Sequence, residues 1–209
     1  MILRHLRAAL AATCASLGLV ACAETAAPPP APEEIVVVLN TTSATLSLLP
    51  VAAPTQVSTI PLGASDVQPV SVSTLGGTAV VPLRARDAVA VVDLREGQLV
   101  NTIQLAPGSR LMGAALVDDS VAYVANASLN TVTRVNLFTA DTASLAVGVT
   151  PVQITFTRGR LLVLNANLDS LGKPAGESWI SVLDPAAGDR GVLLDSIPLI
   201  GPGNALFSA

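Results

Sequence analysis

From residue 35 onward the chain is written as short apolar runs separated by polar turns, and the same four kinds of run recur in the same order. The first ends in Asn in most copies and covers 36–40, 80–83, 123–126 and 162–165. Its end positions, 40, 83, 126 and 165, lie 43, 43 and 39 residues apart. A second run alternates apolar and polar side chains at 45–49, 88–93, 131–136 and 179–184. A third occupies 58–63, 101–106, 143–148 and 195–200, and a fourth 67–73, 110–116, 150–156 and 203–209. Alternation with a period of two, as at Ile180 and Val182 around Ser181, predicts strands, because successive side chains of a strand point to opposite faces. No run has helical spacing.

Four short strands repeated four times at a spacing near 43 predict an all-β fold, a β-propeller-like array of four antiparallel four-stranded blades. A β-sandwich has equally short strands but does not call for the same order four times. The expected repeats are about 35–78, 79–121, 122–161 and 162–209. Each blade buries both faces against its neighbours, which accounts for abundant Val and Leu and few charges. Propellers close with about four to eight blades. Four blades could close tightly by pairing the N-terminal strand with C-terminal ones. An open arc would instead expose two apolar faces, which predicts self-association or a truncated ring.

Residues 1–34 have a different composition. Arg4 and Arg7 precede 14 uncharged residues, 8–21, too few for the ~20 a membrane-spanning helix needs. The stretch ends Leu19-Val20-Ala21-Cys22. This is similar to the lipobox of bacterial lipoproteins, with Cys22 as the lipid attachment site and residues 1–21 as the signal peptide. An ordinary secretory signal cut near Ala21 is the alternative. Ala rather than Asp at position 23 resembles the pattern sorted to the outer membrane. The expected place is therefore the cell envelope, lipid-anchored, with the outer membrane favoured over the inner. Residues 23–34, rich in Pro, read as a semi-rigid spacer behind the lipid.

The run Tyr123-Val124-Ala125-Asn126, followed by Asn130-Thr131-Val132-Thr133, and the run Thr59-Ile60-Pro61-Leu62-Gly63 resemble the YVTN family of β-propeller repeats. The resemblance spans 35–209 and implies a propeller in an extracytoplasmic location. It implies no single reaction, since propellers host many functions. The copies are degenerate: Leu83 stands where the motif has Asn, and Ala106 where it has Gly.

Composition narrows the function. The 209 residues are 51% apolar, 12% charged and 2% aromatic, with a formal net charge of −4. Clustered Lys and Arg are absent, which excludes nucleic acid as a partner. His5 and Cys14 fall within the signal, so residues 22–209 contain no His, and their one Cys is the expected lipid site. That removes His-dependent nucleophiles and His/Cys metal or haem ligation. The expectation is a protein that is not an enzyme and holds no cofactor or metal: a lipid-anchored, extracytoplasmic binding or scaffolding module with an unidentified protein or small-molecule partner. The alternatives are part of a larger propeller enzyme or electron-transfer protein (quinoprotein-like or haem-associated) and a structural component of an envelope assembly.

A few positions stand out. Asn40, Asn126 and Asn165 end strands and are expected to bond nearby backbone or take left-handed dihedrals. Gly63 and Gly148 are expected at positive φ. Asp118-Asp119 reads as a solvated turn. Arg134 occupies a position that is Leu48, Val91 and Val182 in the other copies. It is expected to snorkel along a blade interface or to line a channel or interface. The insertion at 167–178 is a candidate binding loop, with Asp169, Lys173, Glu177 and the adjacent Trp179 as its functional groups.

Overall fold

The computed structural model describes residues 34–199. The signal, Cys22, the Pro-rich spacer up to residue 33 and the run at 203–209 lie outside the described residues. Fifteen strands and two short 3-10 turns, Ser65–Val67 and Arg84–Arg86, make up the regular structure, with no α-helix among the described residues. The first sheet holds β1 (Ile35–Asn40), β2 (Thr45–Pro50) and β3 (Ser58–Pro61). The second holds β4 (Ser73–Leu75), β5 (Thr78–Leu83), β6 (Ala88–Asp93) and β7 (Gln98–Gln104). The third holds β8 (Leu111–Leu116), β9 (Val121–Asn126), β10 (Thr131–Asn136) and β11 (Thr142–Ala146). The fourth holds β12 (Pro151–Thr157), β13 (Arg160–Asn165), β14 (Trp179–Asp184) and β15 (Val192–Pro198). Every pairing is antiparallel between chain neighbours. This is the expected propeller-like array of blades.

The sheets are offset by one strand from the sequence repeat. The fourth kind of run does not finish its own sheet; it starts the next, as β8 pairs with β9 and β12 with β13. Loop length explains the choice. Residues 117–120 and 158–159 form tight turns into the following strand, whereas 105–110 and 147–150 are longer crossings, and short connections favour hairpins. The first sheet consequently has three strands among the described residues.

Each adjacent pair of sheets shares one apolar core. Ala79, Val81 and Leu83 face the first sheet, while Val80, Val89 and Val91 face the third. In the third sheet Ala122 and Val124 point back toward the second, and Tyr123 and Ala125 point on toward the fourth. Both faces of β5, β6 and β9 are covered, so these strands are apolar almost throughout. Near the axis β8 passes so close to β12 that a Cβ on Gly113 would fall 2.9 Å from the Gln153 Cα and the Val152 oxygen. Glycine is required there by contact.

The asparagines meet the expectation only in part: Asn165 Nδ2 donates to the Val163 carbonyl two residues back at 3.3 Å, and all three reach across to the next strand. Asn40 Nδ2 donates to the hydroxyls of Thr45 (3.0 Å) and Ser47 (2.8 Å) on the next strand. Asn126 repeats this with Thr131 (2.9 Å) and Thr133 (2.7 Å), and Asn165 reaches the Ser181 hydroxyl (2.9 Å). Each side chain therefore clamps two strands together. Left-handed backbone falls instead at Ala44, Asp87 and Asn130, where the φ values are 52°, 46° and 56°. The second sheet shows the logic by its exception: Leu83 replaces Asn, and the two hydroxyl positions become Ala88 and Ala90. Gly63 does take a positive φ of 137°, but Gly148 does not. Its constraint is steric, since a Cβ would sit 2.5 Å from Trp179 Cζ2 and 2.6 Å from Asn165 Cγ.

Replacing one member of such a clamp strands the others, at about 1–3 kcal/mol for a buried polar group, whereas replacing all of them is close to neutral. Asn126→Leu alone is expected to lower unfolding stability by that amount. Asn126→Leu with Thr131→Ala and Thr133→Ala, which copies the second sheet, should recover most of it. Urea unfolding of the three proteins measures this; a triple variant no more stable than the single one would contradict the clamp.

Candidate functional site

A cleft of about 330 Å³ opens between the third and fourth sheets, at the end where the turns 117–120, 158–159 and 185–191 gather. Val117, Val121, Phe156 and Pro185 form its apolar walls, and Asp118 and Arg134 supply charge. Arg134 sits on β10, directly opposite Tyr123 of β9. It shares a face with Val132, which packs against the fourth sheet. Its stem therefore runs along the interface and its guanidinium emerges in the cleft, half-buried. Because β10 is third from the axis in its sheet, Arg134 lies at an interface and not on a central channel.

Tyr123 is buried, with its hydroxyl donating to the Pro185 carbonyl at 3.4 Å and hydrogen-bonded by Arg134. Burial pushes its pKa above the ordinary 10.0; the Arg134 charge and hydrogen bond oppose this, and Asp184 adds to it. Asp118 behaves in the opposite sense. Partial burial disfavours its charge, but the Ser120 hydroxyl and the backbone N–H groups of Ser120 and Val121 donate to it, and Arg134 lies near, so its pKa falls below the usual 3.8. This is the expected turn, with one carboxylate oxygen committed to the backbone. Among the described residues the ion pairs are Arg86–Asp66 (2.6 Å) and Arg160–Asp184 (3.2 Å). Arg134 joins neither; its guanidinium faces the cleft, with the Asp118 carboxylate nearby on the same lining.

The candidate loop divides. Asp169 Oδ1 accepts the N–H groups of Leu171 and Lys173, both at 2.8 Å, so the carboxylate shapes a small hairpin. Lys173 is exposed on that hairpin. Glu177 and Trp179 do come together, lining a shallow recess with Val147 and Pro198. It lies at the opposite end of the fourth sheet from Arg134, since β14 runs from Trp179 at one end to Asp184 at the other. Asn167 Nδ2 ties the loop base to the Glu177 carbonyl at 2.9 Å. Tyr123 was missing from the sequence-derived site. The hairpin register that sets it opposite Arg134 is the signal that points to it. No group of three or more His, Cys, Asp or Glu residues among the described residues could hold a metal ion.

No family model matches this sequence, and no curated protein does. Solved structures match in fold. Hydrazine synthase of Kuenenia stuttgartiensis superposes with a TM-score of 0.64 at 15% identity, over 79% of this chain and 46% of that one. Virginiamycin B lyase from Staphylococcus aureus gives 0.59 at 12% identity, over 79% and 52%. A functionally unknown protein from Desulfotomaculum acetoxidans DSM 771 gives 0.59 at 18%, over 78% and 52%. The neighbours are β-propellers. The chain thus has a propeller fold, and it spans about half the length of these structures. The expectation that it is not an enzyme is overturned, because two of these three neighbours are enzymes. That expectation rested on residues missing from this stretch, whereas a propeller can assemble a site from blades well separated in sequence. At these identities the likeness carries the fold and no particular reaction.

The chain has a single Tyr, so tyrosinate absorbance reports Tyr123 alone. The folded protein is expected to titrate above pH 10.0, returning to about that value in denaturant. A raised folded pKa means the associated stability is whole below pH 10 and is lost as pH climbs through the folded midpoint. A folded midpoint at or below 10.0 would contradict the buried placement.

Proposed function

We propose that this chain is an envelope-tethered propeller module that binds a small ligand bearing an anionic group in the cleft between the third and fourth sheets. The observation that carries the reading is Arg134, a half-buried guanidinium that closes no ion pair among the described residues and faces a cleft of about 330 Å³. Guanidinium geometry suits a carboxylate or phosphate, and the Tyr123 hydroxyl hydrogen-bonds the guanidinium. The apolar walls supply area while the few polar groups orient, the usual division of labour in a small-molecule site. The YVTN-like repeats and the Leu19-Val20-Ala21-Cys22 run support a lipid tether at Cys22 and an extracytoplasmic position, with the outer membrane preferred. A second reading, membership of a larger propeller enzyme, is favoured by the enzymes among the structural neighbours and by the chain's covering only 46% and 52% of their lengths.

Succinate serves as the probe, with putrescine as the cationic control. At about 10 mM, tenfold the Kd of a weak site near 1 mM, binding adds about 1.4 kcal/mol of stability. In a domain of this size that raises Tm by about 3–6 °C. Arg134→Met should abolish the rise, and putrescine should give none. No rise with succinate, or an equal rise in Arg134→Met, would overturn the cleft. For the tether, Cys22→Ser is expected to move the chain out of the membrane fraction; full retention there would refute lipid attachment at Cys22.

A further inference from the structure

The cleft at Arg134 carries a second charge that a simple anion would leave unused. Asp118 stands on the same lining, in the turn from β8 to β9. Every hydrogen bond it accepts falls on one oxygen. The Ser120 N–H (2.7 Å), the Ser120 hydroxyl (2.7 Å) and the Val121 N–H (2.9 Å) all reach Oδ1. Three donors on one oxygen fix the direction of the carboxylate, and Oδ2 receives no donor among the described residues. Arg134 and Asp118 form no ion pair with each other, yet the Arg134 charge helps to keep the Asp118 carboxyl ionised. Two opposite charges thus face one cleft, too far apart to pair and close enough to act on each other.

The rest of the lining is apolar and held in place. Phe156 of β12 and Pro185, just after β14, come from the fourth sheet and meet Val121 of the third. The turn that carries Pro185 is tied to the third sheet twice. Tyr123 donates its hydroxyl to the Pro185 carbonyl, and Arg190 Nη1 donates to the Ser144 carbonyl, both at 3.4 Å. Tyr123 also engages the Arg134 guanidinium, but a guanidinium has five N–H donors, so donors remain for a ligand.

Building on the anion-binding reading of Arg134, we infer that the ligand is a free amino acid with an apolar side chain. Its carboxylate lies on Arg134, its ammonium on Asp118 Oδ2, and its side chain among Val121, Phe156 and Pro185. Charge balance selects this class. A simple anion is attracted by Arg134 and repelled by Asp118, and a simple cation meets the reverse. A molecule with an ammonium and a carboxylate on one carbon atom is attracted at both. The hydrogen-bonding groups match as well, since an ionised carboxylate only accepts and an ammonium only donates, while the guanidinium fork fits a carboxylate. A cleft of about 330 Å³ stands at the small end of ligand sites, which suits a molecule of this size.

L-Leucine is the probe, with two analogues that each lack one charge: 4-methylpentanoate, without the ammonium, and 3-methylbutylamine, without the carboxylate. Titration calorimetry of the full chain in detergent at neutral pH should give leucine a Kd at least tenfold below that of 4-methylpentanoate. The amine should show no binding. Asp118→Asn keeps a side-chain oxygen for the Ser120 and Val121 N–H groups, because Asn forms the same kind of turn. It should remove the preference for leucine and leave 4-methylpentanoate bound as tightly as before or more so. Leucine binding no tighter than 4-methylpentanoate would overturn the inference and leave the anion reading standing. No binding of either, together with no response to succinate, would overturn both. A leucine preference undiminished in Asp118→Asn would also overturn it. The comparison on the unmodified chain decides even if the variant fails to fold.

Discussion

A sheet whose two faces are both apolar is stable only when another sheet lies on each of them, and this requirement governs the molecule. It fixes the composition of β5, β6 and β9, where nearly every position is buried because alternate side chains enter different cores. It fixes Gly113, where neighbouring strands come too close for a Cβ. It also leaves the first and fourth sheets with one apolar face each that no other sheet among the described residues covers. The cleft at Arg134 is a local departure from the same rule: a long charged side chain stands where the other copies have Leu or Val, and it lines an opening between the third and fourth sheets.

Within each sheet, polar chemistry is used sparingly and in sets. The Asn side chains of three sheets donate across to hydroxyls on the adjoining strand. In the second sheet all three polar members are gone together, leaving Leu83, Ala88 and Ala90. Such joint replacement fits the asymmetry of buried hydrogen bonds, in which an orphaned partner costs far more than an absent pair. The clamp is thus a property of a set of positions, not of the Asn alone.

The strands and their order were legible because two-residue alternation and the recurring run near 43 residues are local signals. Sheet membership was not, because it depends on which of two flanking loops is the tighter. The strand at 110–116 looks like the close of one repeat and is the opening of the next sheet. Arg134 could be recognised by comparison with Leu48, Val91 and Val182, but its partner Tyr123 emerges only from the pairing register. The loop at 167–178 misled for a related reason. Composition shows that Asp169 is a carboxylate, not that two backbone N–H groups already occupy it. Catalysis is illegible at a larger scale, since the residues of one stretch do not describe a site that a ring can assemble from many.

The radial order of strands is the central claim, and amide hydrogen exchange resolved along the sequence tests it most directly. In each four-stranded sheet the second strand from the axis is enclosed on both edges, while the outermost, β7, β11 or β15, is largely exposed. Protection should therefore rise at β5, β9 and β13 and fall at β7, β11 and β15, once per sheet along the chain. Outer strands that exchange as slowly as β9, or protection without that periodicity, would contradict the stacked arrangement.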